Sequence, residues 1–335
     1  MSSRRIDYLD SCKAIGILLV ILGHTYNIPD WLYSFIYSFH MPLFFMLSGM
    51  VFNPRKIEMK FSEILVERFK KYILPYIGFA FANLVLQIVY TLVLSRKLLG
   101  WEYILHNTKG ILLCYANMEN MPNCTPLWFL MCLFWANIIF WLIIKYCKKA
   151  TPVVLALCAV VSHVLNNFVG YQFPWKLPTA LMAVLFMYIG FQLVRKDLIA
   201  KINWLGAGGF VLLALLSFAL NKYAVAMNWY KYVSLIFYLV PAITLSVALI
   251  CICSKLSFLK TSFFLWLGKN TVFIIAFSYF LRDFTTEIYY MIPVIQTIPI
   301  SSLVSFVLTT VACLVGIVCW NKLKQYGACA RKSIV

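Results

Sequence analysis

The sequence predicts an all-α integral membrane protein with about ten transmembrane helices, one polytopic domain over residues 1–335, and both termini in the cytoplasm. Three observations predict it. Of 335 residues, 63% are hydrophobic and only 12% charged, against about 25% charged in an ordinary soluble chain. Mean hydropathy is +0.86. Apolar stretches of roughly 20 residues, enough to cross a bilayer, recur along the whole chain, and no polar interval is long enough for a soluble domain.

The spans fall near 11–28, 32–52, 72–94, 126–145, 150–168, 177–194, 204–222, 230–253, 262–281 and 298–320. The net charge of +18 follows this topology. With the amino terminus inside, segment 53–71 puts Arg55, Lys56, Lys60, Arg68, Lys70 and Lys71 on the cytoplasmic face. The opposite face carries only Arg96, Lys97, Lys109, Lys176, Lys222, Lys231 and Arg282. That is the positive-inside bias, with attraction to anionic headgroups. It argues against nucleic-acid binding. Arg4 and Arg5 before an apolar run resemble a secretory signal, but no small-residue cleavage site follows and Asp10 and Lys13 interrupt the run. An uncleaved first span is expected.

That first span holds the chemistry-bearing residues. Asp10, Lys13 and His24 lie within it, although a charge near the bilayer centre costs about 2.5–3.5 kcal/mol even on insertion scales. Eleven helical steps from Lys13 to His24 turn about 1100°, which leaves the two about 20° apart and about 16 Å apart along the axis. Asp10 falls on the same side, so one polar stripe runs from the cytoplasmic edge into the membrane. A short turn, Asn27-Ile-Pro-Asp30, makes the second span an antiparallel neighbour. His40 then lies about 18 Å above the inner edge, close to the 20 Å or so expected for His24. Imidazole titrates near neutrality and serves as base, acid or nucleophile. Pro42 removes a backbone donor and is expected to open the second helix below His40.

Between these spans and the fourth, residues 53–71 have the spacing of an amphipathic helix lying on the cytoplasmic surface. Residues 95–125 form the largest outer loop, whose Trp, Tyr and Asn side chains suit either an interfacial belt or carbohydrate. Most of the eleven Cys fall in or beside spans, where Cys is a small buried apolar residue. Cys114 and Cys124 share the outer loop, where a disulfide is open to them in an oxidising compartment. No His/Cys cluster has metal-ligand spacing, so no metal is expected.

Four stretches carry a resemblance. Tyr8-Leu9-Asp10 precedes Lys13-x10-His24; Phe39-His40-Met41-Pro42 runs on to Ser48-Gly49; Arg68 to Tyr76 forms a basic entry to the third span; and Leu127-Trp128-Phe129-Leu130 opens the fourth. A weaker one, Leu267-Gly268-Lys269-Asn270-Thr271, opens the ninth. In these the chain resembles the acyltransferase-3 family of integral membrane O-acyltransferases, and in size and the His40 segment its small sugar-acetylating, fucose-acetylase-like subgroup. Two departures stand out. Lys13 occupies a position where many members carry Arg, which keeps the charge but loses the bidentate fork. Ser278 or Tyr279 stands where many subgroup relatives place a His.

The resemblance implies an acyl-CoA-dependent O-acetyltransferase of a bacterial inner membrane. Acetyl-CoA would be its co-substrate, with no bound cofactor, and a glycan or lipid-linked sugar its acceptor; a homo-oligomer is left open. His24, Lys13 and Asp10 become the candidate catalytic residues. Lys13, Arg68, Lys70 and Lys71 would meet the CoA phosphates as cationic partners, while His40, Ser48 and Trp128 line the cavity or orient His24. Two other classes compete. One is a proton-coupled transporter or flippase, which would show inverted repeats or paired broken helices. The other is a non-catalytic scaffold, in which Lys13 and His24 could be replaced by Leu.

Overall fold

The computed structural model describes residues 7–169, 173–220, 227 and 234–332. The sequence-predicted loop cations Lys222 and Lys231, and the Arg4-Arg5 pair, lie outside the described residues. Among the described residues all regular elements are helical.

Helices α1 (Asp7–Gly23) and α2 (Asp30–Met50) form the expected antiparallel hairpin. The first helix starts and stops earlier than the apolar run suggests. Pro29 disfavours helical geometry in the residue before it, and Asn27 takes a left-handed φ of 54°, so the chain leaves the helix at Gly23. His24 therefore sits in the turn that ends α1. Past His40, α2 continues as unbroken helix through Pro42.

Segment 53–71 is not a separate surface helix. A 3-10 turn (Pro54–Glu58) leads to α3 (Phe61–Arg68), a π turn (Phe69–Ile73) and α4 (Leu74–Ser95) in one helical run. Pro75 explains the π turn. It lacks an N–H and its ring crowds the carbonyl four residues back, so the helix absorbs an extra residue just before it. The predicted outer loop also folds. After Arg96, with a φ of 51°, α5 (Trp101–Leu113) runs back along α4. The Tyr76 hydroxyl donates to the Ile111 carbonyl at 2.6 Å, although Tyr76 stands nineteen residues, about 28 Å, from the far end of α4. Residues 101–127 thus form a re-entrant segment that buries Asn107, Cys114, Cys124 and Thr125. Cys114 and Cys124 are both free thiols; the disulfide left open by the sequence is absent.

From the 3-10 turn Pro122–Leu127 the chain enters α6 (Trp128–Leu142), then α7 (Thr151–Phe168), α8 (Leu177–Arg195), the short α9 (Leu198–Lys201), α10 (Trp204–Leu220) and α11 (Leu235–Lys255). Helices α12 (Ser262–Lys269) and α13 (Thr271–Tyr290) meet at a bend of 77°, and α14 (Ser302–Lys332) closes the bundle against α13. Among the described residues, five helical runs are long and apolar enough to cross a membrane, six with the bent pair. The ten apolar stretches do not map one to one onto such spans. α1 and α10 have 17 residues each, and 122–168 is one run through π and 3-10 turns.

Helices α1, α2, α6, α8 and α11 supply most of the core. The closest crossing is α2 on α8. A Cβ added at Gly49 would overlap the Met187 carbonyl, and one at Gly190 would overlap the Met46 carbonyl. Two glycines facing opposite backbones allow this approach, as small residues do in membrane helix pairs. Lys176, assigned by sequence to the outer face, begins α8 almost fully buried.

Candidate active site

Both candidate histidines are held in the same way. At the end of α1 the backbone N–H of His24 turns to the Ile21 carbonyl at 3.1 Å, and the ring Nδ1 lies 2.6 Å from the Val20 carbonyl. In α2 the Nδ1 of His40 lies 2.7 Å from the Ile36 carbonyl. A carbonyl can only accept, so Nδ1 carries the hydrogen in each ring. A neutral imidazole so fixed keeps its lone pair on Nε2. One local interaction therefore orients each side chain and leaves the basic nitrogen for chemistry.

The two rings line one narrow cavity of about 40 Å³ with Trp128, Tyr37, Tyr279, Phe44, Phe129 and Thr125 among its walls. The sequence-derived pairing of His24 with His40 through antiparallel neighbours is geometrically consistent with this shared wall. Tyr37 stands between the imidazoles, its ring centroid 5.6 Å from His24 and 4.9 Å from His40. Tyr279 meets His24 edge-on at 4.9 Å. Trp128 reaches the cavity because the re-entrant segment delivers the start of α6 to this depth.

A cationic clamp holds the turn that carries His24. Arg282 on α13 donates from Nη1 to the His24 carbonyl at 2.9 Å. Its guanidinium lies 4.6 Å from the Tyr26 ring centroid and 4.5 Å from that of Tyr279. Asp283 pairs with it at 2.6 Å and accepts from the Tyr26 hydroxyl at 2.8 Å. An arginine between two aromatic faces with a paired carboxylate is a well-compensated charge. Sequence reading counted Arg282 only as a loop cation and Tyr279 only as a substitute for a missing His. The available signal was their spacing: Tyr279 and Arg282 are three residues apart, on one helix face.

At the other end of α1, Lys13 Nζ pairs with Asp10 Oδ1 at 3.2 Å, with the Lys13 side chain 30% exposed and Asp10 nearly buried. A Cβ at Gly268 would overlap the Asp10 carbonyl, so the Gly268-Lys269-Asn270 segment is packed against the foot of α1. The Ser11 hydroxyl donates to the Leu259 carbonyl at 2.6 Å and fixes the same end. Arg68 is buried, its Nη1 3.7 Å from Glu67 and its Nε without a partner. It approaches from α3, which packs on α6, whereas the main neighbours of α1 are α2, α11, α12, α13 and α14. Lys71 is exposed, with Nζ 5.1 Å from the Tyr72 ring centroid. Ser48 is half-buried beside Gly49 and does not line the His24 cavity.

Among the described residues no three His, Cys, Asp or Glu side chains gather as metal ligands. The arrangement offers two positioned bases in an enclosed aromatic cavity, and a partly exposed cation at the opposite end of the same helix. No curated protein and no solved structure matches the chain. A family model for an acyltransferase domain matches residues 6–319, a stretch that takes in every residue of the cavity, the clamp and the foot of α1. The chain belongs to the acyltransferase-3 family of membrane acyltransferases.

Proposed function

We propose that this acyltransferase moves an acetyl group from cytoplasmic acetyl-CoA to a hydroxyl of a cell-surface or lipid-linked glycan, in a bacterial inner membrane with both termini inside. The observation that carries the reading is the shared His24/His40 cavity, in which each Nδ1 is committed to a backbone carbonyl and Nε2 is left as the base.

The polarity of helix α1 supports the rest. Lys13 lies about 16 Å along the axis from His24, a span comparable to an extended pantetheine arm. CoA phosphates held at Lys13, with Arg68 and Lys71 as further cations on that side, would let the thioester reach His24 between the helices. Asp10 orients Lys13. His24 Nε2 takes the proton of the acceptor hydroxyl as its oxygen bonds to the acetyl carbonyl carbon. The carbon–sulfur bond breaks, and the thiolate receives the proton to leave as free CoA. If His24 instead carries the acetyl group, the same atoms move in two transfers through an acyl-imidazole. His40, Tyr37 and Trp128 shape the cavity around that exchange.

The test is acetyl transfer from labelled acetyl-CoA in membranes containing wild-type or His24→Ala protein at equal levels. Loss of glycan labelling by about 100-fold or more is expected, within the range general-base catalysis supplies. Wild-type labelling in the variant would overturn the proposal. Solute movement driven by a proton gradient with no consumption of acetyl-CoA would replace it with transport.

A further inference from the structure

A second cavity of about 600 Å³ lies at the α1–α2 turn end of the bundle. Small-molecule pockets run from about 300 to 1,000 Å³, so it has room for a sugar unit. Its wall joins residues from five parts of the chain: Tyr26 and Asn27 from the turn, Gln87 and Tyr90 from α4, Asn123 from the re-entrant segment, Phe280 to Tyr290 from α13, and Ile300.

The lining has a definite chemistry. Tyr26, Tyr90, Phe280 and Tyr290 supply aromatic surface, and Asn123 donates to Gln87 so that both amides are fixed in the wall. Two carboxylates, Asp283 and Glu287, face the space, and no Lys or Arg lines it. The charge of Asp283 is taken up by Arg282. Glu287 is exposed and has no ion pair among the described residues. A carboxylate accepts and never donates, so it selects hydroxyl or ammonium donors and repels anions.

The cavity shares a structural support with the His24 cavity. Tyr26 and Asp283 line the second cavity, and their hydrogen bond belongs to the clamp that holds His24. Tyr279 and Phe280, adjacent on α13, line the inner and outer cavities respectively.

We propose that this second cavity is the acceptor subsite, and that it takes neutral or amine-bearing sugar units while rejecting carboxylated or phosphorylated ones. The sugar C–H faces lie on Tyr90 and Phe280, and Glu287 accepts from hydroxyl or amino groups. This rests on the acyl-transfer reading for the ligand's role, but binding needs no acetyl-CoA.

The experiment is saturation-transfer NMR on the protein in nanodiscs with methyl glucoside, methyl glucosaminide and methyl glucuronide, in the absence of acetyl-CoA. Signals from the first two and none from the glucuronide are expected. Glu287→Gln should weaken binding by about ten-fold, as loss of a charge-assisted hydrogen bond does, and Glu287→Lys should admit the glucuronide. The ligand panel on unmodified protein is free of folding effects. Equal signals from all three sugars, no signal from any, or binding unchanged in both variants would each overturn the subsite. His24→Ala that binds the sugars but transfers nothing leaves the subsite standing. Sugar binding by a wild-type protein that transfers no acetyl group would strike the acyl-transfer reading alone.

Discussion

Arg282 donates to the carbonyl of His24 at 2.9 Å and so ties α13 to the turn that presents the candidate base. The contact is to the backbone, which means that it fixes where the imidazole starts rather than touching the reacting atoms. Arg282 is a positioning residue in this sense, and Tyr26, Tyr279 and Asp283 hold it in turn.

Arg282→Ala should therefore lower kcat for acetyl transfer with little change in the KM for acetyl-CoA, because Lys13 lies at the other end of α1. A hydrogen bond to a charged group contributes about 1.5–3 kcal/mol, which sets the expected loss at roughly 10–100-fold. Arg282→Lys should recover part of it, since ammonium keeps the charge but not the planar fork between two rings. Steady-state kinetics on membranes of equal protein content read both values. A matched rise in KM without a fall in kcat would assign Arg282 to substrate binding instead.

The Lys13–Asp10 pair makes the opposite prediction. Replacing Lys13 alone takes one cationic partner from a nearly buried carboxylate, a change that costs stability as well as function. The double variant Asp10→Asn/Lys13→Gln removes both charges of the pair and should melt at a higher temperature than Lys13→Gln alone. Its KM for acetyl-CoA should nevertheless rise about ten-fold, the scale of one charge-assisted phosphate contact, while Lys13→Arg stays near wild type. Thermal unfolding followed by kinetics separates the two effects. A double variant with unaltered KM would remove Lys13 from the CoA path.

The sequence carried this site unevenly. Residues on α1 and α2 were legible because intramembrane Lys and His are costly and their helical phase is simple arithmetic. Trp128 came from a local motif, and its arrival beside the histidines depends on a re-entrant fold. Residues 95–125 look like a loop by composition, since short apolar stretches such as Ile111-Leu112-Leu113 do not reach span length. What buries them is tertiary: the Tyr76 hydroxyl reaching Ile111, and the Gln87 amide meeting Asn123. The amphipathic reading of 53–71 had the right periodicity and missed that a π turn lets the helix run on into α4. Arg282 was overlooked because a cation near a helix end reads as topology, and only the fold brings Tyr26 across to face it.

The α2–α8 crossing provides a prediction about packing that reaches the chemistry. Gly49 and Gly190 each meet the partner helix at a backbone carbonyl, which no rotamer change can move aside. Gly49→Ala or Gly190→Ala must push the helices apart, and such overpacking costs about 1–3 kcal/mol. By contrast, Gly78 in α4 has open space where its Cβ would stand. There Ala gains about 0.5–1 kcal/mol of helix preference over Gly. Melting temperatures of the three purified variants should thus fall for Gly49→Ala and Gly190→Ala and hold or rise for Gly78→Ala. Because His40 rides on α2 nine residues before Gly49, displacement of the helix also moves one wall of the His24/His40 cavity. Acetyl transfer measured well below the melting temperature should then fall for the first two variants and not for the third. A stable, fully active Gly49→Ala would show that the α2–α8 contact has slack, and that the position of His40 does not depend on it.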